Sequence, residues 1–238
     1  MSIATKDFRN VVFLGHSGSG KTTFIETMLF ESGVIPRRGS VENHNTISDF
    51  TDLEHERENT LYSHLMHVKW HNNKINIIDT PGFDDFIGEV VSSLKVADTA
   101  VILLNAASGV EVGTEIVWEY VQNYQTPAFF VINQMDQPKA DFETTLEQAV
   151  NRFGNKVIPI QYPYNSGEKF NSIIDVLRMT MYVFPENGGK PEKMPIPASE
   201  LEKANALHNA LVEAAAENEE GLMEKYFEKG NLDEEELA

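Results

Sequence analysis

The sequence predicts an α/β fold: a mostly parallel sheet with one antiparallel edge strand and helices on both faces. Three observations predict it. Short apolar runs alternate with helix-period segments as far as Phe153, the pattern of strands joined by crossover helices. A glycine-rich loop at residues 15–23 joins the first strand to the first helix. A tight turn at Asn72-Asn73 joins two consecutive strands, so one edge strand runs antiparallel.

The elements follow in order. Residues 11–14 are an apolar strand and residues 22–30 a helix. Residues 33–60 hold Pro36, Gly39 and several Asn and Asp, and read as a long loop; such loops are usually functional. Tyr62, Met66, Val68 and Trp70 share one parity, which predicts a half-buried strand. Ile75, Ile77 and Ile78 form its returning partner, ending at Asp79. Helices at 86–96, 112–124 and 142–153 alternate with buried strands at 100–104 and 128–132. After that the rhythm changes. A short strand is predicted at 157–161 and an extended run at 173–184. Gly188, Gly189 and four prolines between 185 and 197 mark a loop. Ser199 with Glu202 reads as a capping box before Leu201, Ala204, Leu207, Leu211 and Ala215 at helical spacing.

The 238 residues suit one large domain or a core with an appended subdomain, and 41% hydrophobic content is ordinary. No cysteine is present, which excludes a disulfide scaffold and a thiolate metal site and points to the cytoplasm. The apolar run before Gly15 is too short for a membrane span. A net charge of −18 argues against independent DNA binding, with Arg37-Arg38 the only short basic patch. The acidic segment 213–236 reads as a solvated face or a docking surface for a basic partner.

The glycine-rich loop is Gly15, His16, Ser17, Gly18, Ser19, Gly20, Lys21, Thr22 and Thr23. It fits G-x-x-x-x-G-K-[ST] between a strand and a helix, the phosphate site of a P-loop NTPase. Its amides and the helix N-terminus face an anion. Lys21 reaches the outer phosphates and the Thr22 hydroxyl suits Mg2+. Asp79, Thr80, Pro81 and Gly82 end another strand. There a carboxylate holds Mg2+ through water, and the Gly82 N–H reaches a terminal phosphate. Asn133, Gln134, Met135 and Asp136 end a third. The Asp136 carboxylate accepts from the paired donors on the guanine edge, which adenine lacks. Asn133 would tie this turn to the phosphate loop. Together the motifs read as a guanine-nucleotide switch binding GTP and GDP with Mg2+. Thr60 is a candidate for a threonine that caps Mg2+ only when the third phosphate is present; a plain strand-start threonine fits its position equally. His64, His67 and His71 suggest a metal cluster, but strand geometry puts His64 and His67 on opposite faces. A solvated edge strand is the better reading.

With these motifs in place, the chain resembles the GTP-binding part of bacterial elongation factor G, the ribosomal translocase, over nearly its full length. Residues 46–60 look like that family's first switch, with Glu56-Arg57 and a magnesium-binding threonine at Thr60. Pro159, Ile160, Gln161, Tyr162, Pro163 and Tyr164 with Phe170, Ile174, Asp175 and Met179 resemble the start of the family's small α+β inserted subdomain. Residues 222–227 and 233–236 resemble its last helices. The resemblance implies a GTP-binding core at 1–156 and the insert at 157–238. It implies a monomer that docks at the factor-binding site of the large ribosomal subunit, near the stalk protein. It implies that Lys21, Thr60 and Gly82 act on the reacting phosphate.

The departures bear on chemistry. The family usually has His where Phe83 stands, and a phenyl ring neither orients water nor exchanges a proton. It usually has Lys at Gln134 and Asp at Gly18. A Ser-Ala dipeptide, usual in the base-binding loop, occurs nowhere in the sequence. This leads us to expect an N-terminal fragment that binds nucleotide weakly by itself; the alternative takes 157–161 as the last core strand and 163–166 as the base loop. The expected function is the GTP-binding domain of a translocation factor with weak or absent hydrolysis. The alternatives are a non-catalytic ribosome-associated regulator and a ribosome-protection or release-type GTPase. A P-loop kinase or ATPase is disfavoured by Asn133 and Asp136.

Overall fold

A computed structural model describes residues 4–186, 189–218, 221–222 and 225. The chain divides into two compact units, Met1–Gln134 and Met135–Ala238.

In the first unit the strands are β1 (Phe8–Leu14), β2 (His64–Trp70), β3 (Asn73–Asp79), β4 (Thr99–Asn105) and β5 (Ala128–Asn133). They form one sheet in the order β2-β3-β1-β4-β5. β1, β3, β4 and β5 run parallel, and β2 pairs antiparallel with β3 at the edge. The helices are α1 (Lys21–Glu31), α2 (Asp52–Arg57), α3 (Ile87–Leu94) and α4 (Val112–Asn123).

Strand alternation sorts the core into two layers. Phe13, Ile77 and Leu103 point to one face, where Ile25 and Leu29 of α1 cover them. Val12, Leu14, Ile78, Ala100 and Ile102 point to the other, against Val90 and Leu94 of α3 and Val117 and Val121 of α4. Most of these side chains are under 3% exposed, and each contributes roughly 1.5–3 kcal/mol by leaving water. The carboxyl ends of the four parallel strands therefore share one edge of the sheet, where ligands of such folds bind.

The second unit contains α5 (Phe142–Phe153), a four-stranded antiparallel sheet and α6 (Leu201–Asn218). The sheet order is β6 (Gln161–Pro163), β7 (Ser172–Asp175), β8 (Thr180–Val183) and β9 (Glu192–Met194). Ala204, Leu207 and Leu211 of α6 pack on Tyr162, Ile174, Val176 and Met181.

Several expectations need correction. The segment 33–60 is not all loop: Thr51 and Glu54 form a reciprocal capping box that starts α2. The strand expected at 157–161 forms instead at Gln161–Pro163. It pairs with β7 in the second sheet, which removes it as a last core strand. The run 173–184 is a hairpin, broken at Met179 with φ 48°. Glu200, not Ser199, accepts the first bond of α6, from the Ala204 N–H at 2.9 Å. Gly188 and most of the acidic stretch, including 223–224, 226–227 and 233–236, lie outside the described residues.

Candidate nucleotide site

The loop after β1 turns back on itself through glycines. Gly20 caps α1 with φ 88°, a left-handed conformation that costs other residues about 1–2 kcal/mol. A Cβ there would also meet the Asn133 side chain at 2.6 Å. Lys21 opens the helix and folds over the loop. Its Nζ donates to the Gly15 carbonyl at 2.8 Å and the His16 carbonyl at 3.1 Å. The ammonium is thus held against the loop by two of its own carbonyls.

Three elements converge on Thr22. Its Oγ1 donates to Asp79 Oδ2 at 2.9 Å and lies 3.1 Å from Thr60 Oγ1. Asp79 is fully buried at the end of β3, and its other oxygen, Oδ1, has no hydrogen-bond partner among the described residues. Thr60 is also buried, brought from the end of the long loop to the start of the helix. Two hydroxyls and a carboxylate with a spare buried lone pair make an all-oxygen set suited to a hard divalent cation.

The turn after Asp79 presses against the loop. Thr80 Oγ1 donates to the Phe13 carbonyl at 2.6 Å, which anchors the turn to β1. Pro81 is buried. A Cβ on Gly82 would stand 2.6 Å from Lys21 Nζ and 2.7 Å from the Ser17 nitrogen. Only glycine permits that approach. Phe83 follows and is 44% exposed.

The third turn is tied to the same loop. Asn133 Nδ2 donates to the Ser19 carbonyl at 2.9 Å. Gln134 has φ 61°; its Nε2 donates to the Gly18 carbonyl at 2.8 Å and its Oε1 accepts from Asn105 Nδ2 at 2.8 Å. Gln134 therefore bridges the loop and the end of β4. Asp136 is exposed and belongs to the second unit.

Burial sets the electrostatics. Desolvation lowers the Lys21 ammonium to about 8, opposed by the charges of Asp79, Asp49 and Glu111. Desolvation likewise raises the Asp79 carboxyl to about 6, opposed by Lys21 and reinforced by Asp49. A bound polyanion with its cation would supply each group with the partner that solvent no longer provides.

Residues beyond the motifs hold the long loop. Glu26 of α1 is buried and accepts from the Gly39 N–H at 2.9 Å and the Ile47 N–H at 3.1 Å. Glu54 is fully buried and bonds to His64 Nε2 at 2.7 Å. His64 is thus a buried partner, not a solvated edge residue, while His67 and His71 are exposed. The Thr51-x-x-Glu54 spacing was the available sequence signal for α2; nothing local marked Glu26 or Asn105.

Known proteins resemble this chain over most of its length. The family model for the elongation factor Tu GTP binding domain matches residues 6–231. Elongation factor G of Mycoplasma genitalium is 37% identical over 230 residues, covering 95% of this chain and 33% of that protein. Elongation factor G of Mycoplasma pneumoniae is 38% identical over 225 residues, covering 93% and 32%. A crystal structure of a protein from Thermus thermophilus superposes with a TM-score of 0.88 at 32% identity, covering 96% of this chain and 34% of that one. The chain spans about a third of the length of the curated relatives it matches.

Proposed function

The chain belongs to the family of the elongation factor Tu GTP-binding domain, and from that premise we propose that it is the nucleotide switch of an elongation-factor-G-like factor promoting ribosomal translocation, with weak or absent GTP hydrolysis. The observation that carries the switch is the meeting of Thr22, Thr60 and Asp79 at one point, 3.1 Å and 2.9 Å apart. Two of these residues are contributed by fixed strand and helix ends, and the third by a loop held separately.

The proposed roles follow the geometry. Lys21 and the amides of residues 15–23 hold the phosphates. Thr22 and Thr60 would hold Mg2+ directly and Asp79 through water; the ion would neutralise charge on the β- and γ-phosphate oxygens. The Gly82 N–H would donate to the terminal phosphate, and Asn133 braces the loop against β5. Asp136 reads the guanine edge, and Gln134 keeps a bridge to the loop without adding charge. We carry 1–156 as the core and 157–238 as the inserted subdomain. The proposed partner is the ribosome, at the large-subunit factor site near the stalk protein, with the chain acting as a monomer in the cytoplasm. Among the described residues no helix is long and apolar enough to cross a membrane.

Lys21 gives a linkage prediction. Its folded-state pKa is lowered to about 8. For the nucleotide-free chain, the stability tied to this group is present above its unfolded pKa of roughly 10.5 and is lost as pH falls through about 8. A bound diphosphate favours the ammonium, so binding near pH 8.5 should take up a fraction of a proton. Calorimetric titration of GDP in two buffers of different ionisation heat should give different apparent enthalpies. Equal enthalpies would contradict a desolvated Lys21 at the phosphates.

Phe83 favours one second reading, a regulator that uses GTP only as a conformational latch. A reconstituted translocation assay with the intact protein separates the two. Retained translocation supports the factor. Loss of both translocation and hydrolysis supports the regulator.

A further inference from the structure

Asp49, Glu54 and His64 form a second cluster of ionisable side chains beside the long loop, their ligand atoms within 4.8 Å of one another. Glu54 is fully buried. Its Oε1 accepts from His64 Nε2 at 2.7 Å, the Leu61 N–H at 3.1 Å and the Tyr62 N–H at 3.4 Å. Its Oε2 accepts from Thr51 Oγ1 at 2.8 Å and the Thr51 N–H at 3.3 Å. Five donors occupy the lone pairs of one carboxylate, so the cluster is built as a hydrogen-bonded anchor rather than a cation cage.

The anchor has a direction. Leu61 and Tyr62 immediately follow Thr60, so their amides fix the peptide that carries the Thr60 hydroxyl. His64 opens β2 and is paired in register with Asp79, which places it on the rigid sheet. Its ring also packs against Phe50 at a centroid distance of 5.0 Å. Position therefore passes from the sheet through His64 to Glu54, and from Glu54 to Thr60. The proton of this contact belongs on Nε2, because an ionised Glu54 only accepts.

We propose that His64 is a positioning residue for Thr60, clamping Glu54 so that the site favours a nucleoside triphosphate over the diphosphate. This rests on the reading of the site as a GTP switch. On that reading Thr60 would meet the cation only when the third phosphate is present, so loosening it should penalise GTP and spare GDP.

The test uses the intact protein with fluorescent GTP and GDP analogues over a Mg2+ titration. His64→Ala should lower the GTP-to-GDP affinity ratio by about tenfold, the loss expected when a hydrogen bond to a buried charged group goes. It should also raise the Mg2+ needed for GTP binding and not for GDP. His64→Gln keeps an N–H donor and should restore most of the ratio. His64→Leu keeps bulk against Phe50 without a donor and should behave like His64→Ala, which covers the case in which alanine fails to fold. An unchanged ratio in both donor-less variants, an equal loss for GTP and GDP, or no rescue by glutamine would overturn the proposal. So would tight zinc binding to the Mg2+-saturated protein that disappears in His64→Leu, since the cluster would then be a metal centre. A wild type that binds neither nucleotide defeats the switch reading itself. A wild type whose GTP preference is untouched at His64 defeats only this inference.

Discussion

Phe83→His should raise single-turnover GTP hydrolysis on saturating ribosomes by about 10²-fold or more, within the range that a positioned acid–base group contributes. Phe83 follows Gly82, whose backbone abuts Lys21 Nζ and the Ser17 nitrogen, so residue 83 leaves the turn beside the proposed terminal phosphate. Its backbone is extended, with φ −93° and ψ 139°, a conformation open to either residue. The phenyl ring is 44% exposed, so little packing is lost on exchange, and stability should change by no more than about 0.5 kcal/mol. An imidazole can orient a water molecule through a ring nitrogen; a phenyl ring offers none. An unchanged rate in the folded variant would show that the missing histidine does not limit hydrolysis.

Asp136→Ala should abolish most of the preference for guanine, by as much as about 10⁴-fold in the ratio of GTP to ATP affinity. A carboxylate that accepts two adjacent donors is left unpaired by adenine, and although Asp136 is exposed in the nucleotide-free site, a base seated on it would shut water out and leave an unpaired carboxylate costly. Alanine removes both the reward and the penalty. Competition between GTP and ATP for the wild type and the variant measures the change. A ratio that survives the substitution would mean that the base is read elsewhere.

Much of this site was legible because its chemistry is written in consecutive residues. Residues 15–23, 79–82 and 133–136 each sit where a strand ends, and apolar alternation placed those ends on one edge of the sheet. The antiparallel edge was legible from the turn near Asn72. The long loop was harder. Its order comes from Glu26, thirteen residues before Gly39, and from Glu54, ten before His64. A buried carboxylate that collects distant amides has no local period, so composition alone made 33–60 look irregular. The same reason hid His64, whose strand position suggested solvent while a loop residue buried it. Gln134 read as a loss of charge, yet its amide spans Gly18 and Asn105. In the second unit, the short strands β6 and β9, three residues each, carry too few alternations to locate from pattern.

The most direct test of the central claim compares single-turnover GTP hydrolysis by the intact wild-type protein on saturating ribosomes with that of an elongation factor G bearing the usual histidine. The wild-type protein should bind GTP and cleave it at least about 100-fold more slowly. Hydrolysis at a matching rate would contradict it.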